Sequence, residues 1–330
     1  MTASMPTAGD DLAVLVVESN VVRVDDCVPM IRKRFPGMRV LYAKDVASLE
    51  DQIAEADVII AAQSDVPVQL FDKARRLRWF QNTSAGVDRL VPIRDRLCDV
   101  IITNARGVVS ETIADFVMGG ITALHWDFPR LIREQSRKEW NQQGFVATLS
   151  ERTLGVIGLG AIGTAIASRG KSVGMTVVGS KRDVSQPVPG VDKLFPPEDL
   201  VGLLQLSDFV VLAVPHNPET TKLIGREQLQ QMRRSAFLVN IARGGIVVES
   251  ELIHALKTGV IAGALLDVFE REPLPSDSPL WTMHNVMITP HASGNAEGYL
   301  NHVFEIFADN MQRFLTKKPM RNLVDLRRGY

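Results

Sequence analysis

Three ionisable side chains, Arg243, Glu272 and His291, each follow a predicted strand at a place where they could act together. Arginine offers a fixed cation to a carboxylate, and histidine, which ionises near neutrality, is suited to passing a proton. A neighbouring carboxylate favours the proton-donating imidazolium. Parallel sheets bind ligands beyond the carboxyl ends of their strands, so we expect these three residues to share one edge of a sheet.

The reduction of a 2-oxo acid needs these groups. A cation holds the carboxylate, an acid protonates the carbonyl oxygen, and a nicotinamide delivers hydride to the carbonyl carbon. Each residue also has a plainer interpretation: Arg243 as a structural ion pair, Glu272 as a solvated loop carboxylate and His291 as a hydrogen-bonded core side chain. Their joint occurrence beside a glycine motif favours catalysis.

The glycine motif consists of Gly158, Leu159, Gly160, Ala161, Ile162 and Gly163, between a predicted strand and a predicted helix. Gly158 permits a tight turn, Gly160 lets the backbone approach a pyrophosphate, and Gly163 allows the helix to pack on the strand. A glycine-rich turn without a ligand is the alternative. The strand context favours dinucleotide binding, with the phosphates at the helix N-terminus.

The end of the next predicted strand is Ser180-Lys181-Arg182, where an NAD-selective protein usually carries an acid for the ribose hydroxyls. A hydroxyl and two cations suit a 2′-phosphate better. We therefore expect NADP(H) to be preferred, with NAD(H) also possible. A solvated surface pair is the plainer alternative, and Asp183 is a candidate for the missing acid.

Apolar runs alternate with helix-like segments, as expected of parallel α/β sheets. A helix is predicted from Ser110, as its N-cap, to about His125, where it could link two domains, and another from Asn295 to about Thr316. The predicted strands are Leu12–Val17, Arg39–Tyr42, Asp57–Ala61, Arg78–Gln81 and Val100–Thr103, then Arg152–Gly158, Thr176–Gly179, Phe209–Val214, Phe237–Ile241, Ile261–Asp267 and Val286–Thr289.

Composition excludes several other classes. A formal net charge of -1 over 330 residues gives no bulk attraction to nucleic acid or membrane. Cys27 and Cys98 have no metal-ligand or disulfide spacing, so we expect no metal site. The first residues contain no basic segment followed by a long apolar run, and we therefore expect a cytoplasmic protein without a secretory signal.

The sequence resembles the D-isomer-specific 2-hydroxyacid dehydrogenase family over nearly its whole length. The resemblance lies in four ordered motifs, which are the glycine motif and residues 240–245, 266–275 and 289–294. Two loops add to it, residues 84–88 and residues 214–215 with 218–221. It implies a Rossmann dinucleotide-binding domain, residues 107–292, inserted in a flavodoxin-like substrate domain, residues 1–106 and 293–330. Both are doubly wound parallel α/β sheets, and the C-terminal helix returns to the N-terminal half.

The resemblance also implies residue roles and a homodimer. Arg243 would hold the substrate, His291 would be the acid/base, and Glu272 would pair with it. Ser84, Ala85 and Gly86 would contact the substrate. The implied cofactor contacts beyond the glycine motif and residues 180–182 are Val214, Pro215, Thr220, Ile241, Ala242, Arg243, Asp267 and His291. Trp140 would border the substrate pocket of the neighbouring subunit.

The resemblance narrows the substrate without fixing it. Residues 323–330 resemble the ending of a glyoxylate/hydroxypyruvate reductase subgroup, which favours those substrates. The sequence shows none of the added regulatory domains of many phosphoglycerate dehydrogenases, which disfavours phosphoglycerate as the substrate. Arg106 stands where the family often has proline. A formate-dehydrogenase-like enzyme would be expected to carry glutamine in place of Glu272. A cofactor-sensing scaffold similar to transcriptional corepressors is the alternative from another class.

Overall fold

The structure is a computed structural model that describes residues 12–19, 22–142 and 144–330. The chain divides into two compact units. The first contains residues up to Val108 together with Ala296–Tyr330, and the second contains Val109–Asn295. The second unit is thus one continuous stretch between the two parts of the first.

The first unit is built on a parallel five-stranded sheet in the order β2-β1-β3-β4-β5. This is the flavodoxin-like order that the resemblance implied. Its elements are β1 (Ala13–Val17), α1 (Val24–Arg34), β2 (Arg39–Ala43), α2 (Val46–Gln52), β3 (Val58–Ala61), β4 (Trp79–Asn82), β5 (Ile101–Thr103) and, from the end of the chain, α9 (Tyr299–Leu315).

The inner strands β1, β3 and β4 are buried at every position, so apolar clusters cover both faces of this sheet, whereas the edge strand β2 is partly exposed. Trp79 of β4 lies on the face covered by α9, where its ring stacks on Phe307 at 5.3 Å between centroids. Phe314 packs on the same indole at 5.5 Å. The returning helix therefore completes the core of the N-terminal half.

The second unit is built on a parallel seven-stranded sheet in the order β12-β11-β10-β9-β6-β7-β8. From β8 to β11 this is the 3-2-1-4-5-6 order of dinucleotide-binding sheets, which confirms the predicted fold class. Its elements are α3 (Ser110–His125), α4 (Phe128–Arg137), β6 (Thr153–Ile157), α5 (Ala161–Ser172), β7 (Thr176–Ser180), β8 (Lys193–Phe195), α6 (Leu200–Leu206), β9 (Phe209–Leu212), α7 (Arg226–Gln231), β10 (Phe237–Asn240), α8 (Glu249–Thr258), β11 (Gly263–Leu266) and β12 (Val286–Ile288).

The structure corrects the predicted cap of α3. Ser110 is the first residue inside the helix, and Val109 occupies the N-cap position. The Ser110 hydroxyl is buried and has no hydrogen-bond partner in the part of the chain that the structure describes. The prediction of a serine cap was therefore wrong, and α3 belongs to the second unit, where it packs against α5.

Other differences concern short elements. Strand β8 was missed, because Lys193-Leu194-Phe195 is too short to give a periodic pattern. Helix α9 begins at Tyr299 rather than Asn295, since Asn295 and its neighbours form turns. No helix within residues 12–19, 22–142 and 144–330 is long and apolar enough to cross a membrane. Among the same residues, no group of three or more His, Cys, Asp or Glu side chains could hold a metal ion.

Candidate active site

The glycine turn joins β6 to α5 with little room to spare. Gly158 has φ +98°, a left-handed conformation that favours glycine. A Cβ added there would lie 2.7 Å from Val214 Cγ1, in the loop after β9. A Cβ added at Gly163 would overlap the carbonyl oxygen of Gly158. These two glycines are therefore required by the packing of the turn itself.

Gly160 differs from both, because a Cβ added there would meet nothing within 4 Å. It is the N-cap of α5 and has no side chain to bond the first amides of the helix. Leu159, Ala161 and Ile162 complete the turn and the first helical residues. Open space next to uncapped helix amides fits a pyrophosphate, so the residues present suit a dinucleotide.

At the end of β7, only part of the predicted phosphate site faces solvent. Ser180 is 4% exposed, whereas the side chain of Arg182 is 49% exposed and forms an ion pair with Glu219. Lys181 lies partly exposed between them in sequence. The carboxylate of Asp183 accepts hydrogen bonds from the hydroxyl and amide of Ser185, which lower the pKa of Asp183. Both of these hydrogen bonds use Oδ1, and the alternative role of Asp183 as a ribose acceptor stays a prediction.

The loop after β9 is held by Asn217, whose side-chain oxygen accepts the amide hydrogens of Glu219 and Thr220 at 3.0 and 3.1 Å. The Thr220 hydroxyl donates to the carbonyl oxygen of Pro215 at 2.6 Å. Thr220 therefore shapes the loop that carries the predicted cofactor contacts Val214 and Pro215.

Arg243 follows β10 in a turn that Asn240 supports. The Asn240 side chain accepts from the amide of Ala242 at 3.1 Å and donates to the carbonyl of Arg243 at 3.0 Å. Ile241 and Ala242 are buried in this turn. A Cβ added at Gly244 would overlap the backbone carbonyl of Phe269, so the turn lies directly against the segment that leads to Glu272.

Glu272 and His291 bond to each other. His291 Nδ1 lies 2.8 Å from Glu272 Oε2, and the other carboxylate oxygen accepts the amide of Phe269 at 3.0 Å. His291 has φ +52°, an uncommon conformation for a residue other than glycine. A strained backbone at a histidine that a carboxylate orients is typical of a functional site.

Asp267 fixes the backbone on both sides of His291. It is fully buried, and its carboxylate accepts the hydroxyl of Thr289 at 2.7 Å and the amide of Ala292 at 2.8 Å. It also accepts from the amide of Ser293. The carbonyl oxygen of Asp267 accepts the amide of His291 at 2.9 Å. Asp267 thus holds the histidine in its left-handed conformation, while its role toward the cofactor stays a prediction.

Glu249 and Glu270 form a reciprocal pair of hydrogen bonds, called here the glutamate clasp, in the segment before Glu272. The carboxylate of Glu270 accepts the amide of Glu249, and the carboxylate of Glu249 accepts the amide of Glu270, each at 3.1 Å. Burial, and then the charge of Glu270, raise the pKa of Glu249. The glutamate clasp ties the Glu272 segment to the start of α8.

The sheet register brings the three predicted catalytic residues to one edge. Strands β10, β11 and β12 are neighbours, and Asn240, Leu266 and Ile288 are paired residues at their ends. Arg243 and His291 each stand three residues beyond a paired end. The position of these residues beyond the ends of neighbouring strands is the predicted one. Their catalytic roles stay predictions.

In the first unit, the carbonyl oxygens of the loop Ser84-Ala85-Gly86 accept hydrogen bonds from two asparagine side chains. Asn82 donates to Ser84 at 3.0 Å and to Gly86 at 2.7 Å, and Asn104 donates to Ala85 at 2.7 Å. Within the described ranges, the amides of Ala85 and Gly86 have no hydrogen-bond partner. Two free amides on a fixed loop can bind an anion.

A family model for the NAD binding domain of D-isomer specific 2-hydroxyacid dehydrogenases matches residues 118–293, more than half of the chain. The chain belongs to this family. The matched segment contains the glycine turn, Arg243, Glu272 and His291, and it identifies the protein as an oxidoreductase with a nicotinamide-dinucleotide domain.

Known relatives of this dehydrogenase family differ in substrate. A glyoxylate reductase of Korarchaeum cryptofilum is 34% identical over 284 residues, which cover 83% of this chain and 84% of that protein. A D-3-phosphoglycerate dehydrogenase of Methanocaldococcus jannaschii is 34% identical over 283 residues, 84% of this chain but 53% of that protein. The chain thus spans about half the length of the latter relative.

A solved D-isomer specific 2-hydroxyacid dehydrogenase from Xanthobacter autotrophicus Py2, in complex with NADPH and MES, is 35% identical to this chain. The two structures superpose with a TM-score of 0.86 over 96% of this chain and 99% of that one. The fold of this family member is therefore that of a dehydrogenase known to bind NADPH.

The sequence did not predict the residues that support the Ser84–Gly86 loop of this family member. Asn82 and Asn104 are buried at or just after strand ends, and a buried amide at such a place is a usable signal. The third is Tyr299, whose hydroxyl donates to the carbonyl of Thr83 at 2.5 Å. No local pattern points to Tyr299, because 216 residues separate it from Thr83.

Proposed function

We propose that this dehydrogenase reduces a small 2-oxo acid, of the glyoxylate or hydroxypyruvate kind, to the D-2-hydroxy acid at the expense of NADPH. The observation that carries the proposal is the Glu272–His291 hydrogen bond of 2.8 Å at the strand edge shared with Arg243. A glyoxylate reductase that is 34% identical supports the substrate class.

Each residue has a separate part in the proposed reaction. Residues of the glycine turn would hold the dinucleotide, whose nicotinamide would supply the hydride for the carbonyl carbon of the substrate. Arg243 holds the substrate carboxylate and polarises the carbonyl. Because Nδ1 of His291 is bonded to Glu272, its Nε2 faces the substrate and donates the proton to the carbonyl oxygen. The 2-oxo acid thereby gains one hydride and one proton.

The amides of Ala85 and Gly86 are the proposed substrate contacts of the first unit, with Ser84 as the third loop residue. This assigns the substrate role to the domain of residues 1–106 and 293–330, and the cofactor role to residues 107–292. Asn82 and Asn104 act as positioning residues, because they bond the loop carbonyls rather than the substrate, and Tyr299 acts in the same way through the carbonyl of the preceding Thr83.

NADP(H) is the proposed preferred cofactor, with NAD(H) as a poorer one. Support comes from Lys181 and Arg182 at the end of β7, in place of a ribose-binding acid, and from the NADPH complex of the similar Xanthobacter enzyme. The phosphate contact falls to Arg182 rather than Ser180, because Ser180 is buried.

We also propose a cytoplasmic homodimer. Large apolar side chains are exposed along one stretch of the second unit, among them Phe128, Ile132 and Trp140, the last at 93%. Exposed clusters of this kind mark protein interfaces. Light scattering coupled to size-exclusion chromatography should give twice the mass of the chain, and Trp140→Ser should lower the share of dimer.

The test is an NADPH-oxidation screen with glyoxylate, hydroxypyruvate, pyruvate, phenylpyruvate and branched 2-oxo acids. We expect turnover of glyoxylate or hydroxypyruvate, and His291→Ala should lower kcat by about a hundredfold or more while NADPH still binds. His254→Ala, at an exposed histidine of α8, is the matched control. No turnover on any acid would reject the proposed reaction and favour a cofactor-sensing scaffold.

Arg243→Lys sharpens the assignment within the same screen. Lysine keeps the charge but not the fork that meets a carboxylate with two hydrogen bonds. KM should rise strongly and kcat should fall, since the same side chain polarises the carbonyl. An unchanged kcat/KM would place the substrate carboxylate elsewhere.

A further inference from the structure

An ion pair lies across the carboxyl end of β6, where the glycine turn begins. Arg182 follows β7, Glu219 lies in the loop after β9, and Nη2 of the first pairs with Oε2 of the second. Strands β7 and β9 are the two neighbours of β6, and their last residues, Ser180 and Leu212, are both paired with Ile157. The pair therefore spans the crevice at which the strand order reverses, the place where open α/β sheets bind dinucleotides.

Glu219 is held in place by its own loop. Asn217, 7% exposed, accepts the amide of Glu219 at 3.0 Å and that of Thr220 at 3.1 Å. The Thr220 hydroxyl anchors the turn on the carbonyl of Pro215. The loop thus presents the Glu219 carboxylate at a defined position opposite Arg182.

The Arg182–Glu219 pair is exposed enough for another anion to replace the Glu219 carboxylate. The side chain of Arg182 is 49% exposed and that of Glu219 is 70% exposed. Exposed ion pairs contribute little to stability and are screened by salt. A phosphate carries more charge than one carboxylate and can accept two hydrogen bonds from a guanidinium, so it would displace the carboxylate.

We propose that Glu219 is a specificity-determining residue that competes with the 2′-phosphate of the cofactor for Arg182. The inference rests on the proposed function, in which Arg182 binds that phosphate. NADPH must break the Arg182–Glu219 pair and then lies beside a freed carboxylate, whereas NADH, which has no 2′-phosphate, leaves the pair intact. Glu219 therefore lowers the preference for NADPH that Lys181 and Arg182 would otherwise give.

The expected effect is modest and has a defined sign. The free-energy contribution of an exposed ion pair is about a few tenths to one kcal/mol, which corresponds to about a two- to fivefold change in a binding constant. Glu219→Gln should therefore bind NADPH about two- to fivefold more tightly, with the Kd for NADH unchanged. High salt should reduce the gain.

The experiment measures Kd for NADPH and NADH on the full-length protein by calorimetry, without substrate. The variants are Glu219→Gln, Arg182→Ala and the double variant. The control is Glu111→Gln, which removes a glutamate of another exposed arginine pair, Glu111–Arg169. The glycine motif leads into the first turn of α5, and Arg169 lies in the last turn of the same helix. The Glu111–Arg169 pair is therefore at the opposite end of α5 from the glycine motif. Thermal melts verify that each variant folds.

The proposal expects Glu219→Gln to gain NADPH affinity, and it expects that gain to vanish on the Arg182→Ala background. A weaker affinity for NADPH would show that Glu219 orients Arg182 for the phosphate, and would overturn competition. An equal gain with and without Arg182, an equal change for NADH, or an Arg182→Ala variant with normal NADPH affinity would overturn it as well. Because no 2-oxo acid is present, a failure of turnover rejects the proposed reaction but not this result.

Discussion

The glycine turn at Gly158–Gly163 and the loop Ser84–Gly86 reach a fixed backbone by opposite means. The turn is set by steric contact at glycines: a Cβ at Gly163 would overlap Gly158 within the motif, and a Cβ at Gly158 would meet Val214 after β9. The loop is set by hydrogen bonds from polar side chains. Asn82, just before the loop, and Asn104 donate to its carbonyl oxygens, and Tyr299, from the far end of the chain, donates to the carbonyl of the preceding Thr83. A steric constraint of the first kind is visible in a short motif, whereas a hydrogen-bonded support of the second kind becomes visible only in the folded unit.

Gly163→Ala should have the largest effect on stability. Alanine normally stabilises a helix interior relative to glycine by about 1 kcal/mol. At this position its Cβ would overlap the carbonyl of Gly158, so we expect a loss of about 1–3 kcal/mol or more in the free energy of unfolding. Urea unfolding followed by circular dichroism measures it.

The control for Gly163→Ala is Gly119→Ala, in the middle of α3. Gly119 is exposed, and a Cβ added there would meet nothing within 4 Å. The same substitution should therefore stabilise the protein. A Gly163→Ala variant as stable as the wild type would show that the turn relaxes, and that the motif is not set by steric contact.

Asn82→Ala should be the most damaging change to the Ser84–Gly86 loop, for which we propose substrate binding. It removes the donors to Ser84 and Gly86 and the acceptor of the Gln63 amide, all in a side chain that is fully buried. Leaving buried carbonyls unpaired costs about 1–3 kcal/mol. We expect KM for the 2-oxo acid to rise about tenfold or more while the Kd for NADPH stays the same.

The matched control is Asn301→Ala, at an exposed asparagine of α9. It should change neither KM nor stability appreciably. If Asn82→Ala weakened NADPH binding as much as substrate binding, the loop would have no separate role, and the contrast with the glycine turn would fail.

Much of this contrast follows from how far each constraint extends along the chain. The motif at Gly158–Gly163 and the strand ends before Arg243 and His291 are local patterns, and both were predicted with their neighbours in the sheet. The pairing of Glu272 with His291 was implied by the family resemblance, and the structure shows it as a hydrogen bond of 2.8 Å. Strand β8 was missed because three residues carry no periodicity, and Ser110 was misassigned because cap preference ignores burial.

The contribution of Tyr299 next to the Ser84–Gly86 loop could not be predicted, since it depends on where α9 returns to the first unit. Trp79 and Phe307 fix that helix by stacking, and Tyr299 at its start is thereby brought to Thr83. An aromatic residue near a helix start has many equally good explanations in sequence. Only the packed sheet assigns it to the loop.

Tyr299→Phe should have a smaller effect than Asn82→Ala, because it removes one hydrogen bond and leaves the ring in place. The expected cost is about 1 kcal/mol, with a rise of a few fold in KM for the 2-oxo acid and no change in NADPH affinity. Steady-state kinetics and calorimetry measure the two. Equal KM values would show that the loop does not need Tyr299.

The pH dependence of this variant has a defined sign. Burial raises the pKa of Tyr299 to about 12, from an ordinary value of 10.0. The folded protein thus holds the phenol proton more tightly than the unfolded chain does. This contribution to the free energy of unfolding is fully present below pH 10 and is lost as the pH rises from 10 toward 12. Tyr299→Phe should lose less stability than the wild type in that window, and the two should differ by a constant amount between pH 6 and 9.

Gly160→Ala should have the smallest effect on stability and separates two kinds of glycine within one turn. The backbone of Gly160 has φ -79°, which alanine adopts, and a Cβ would point into open space. We expect the free energy of unfolding to change by about 0.5 kcal/mol, within the range of surface substitutions. The Kd for NADPH should nevertheless rise about tenfold, because the methyl group would occupy the space in which a pyrophosphate approaches the backbone. Calorimetry with NADPH and NADH should give the same loss for both, since the pyrophosphate is common to them. An unstable Gly160→Ala protein would mean that all three glycines serve the fold, and an unaffected Kd would mean that the phosphates lie away from Gly160.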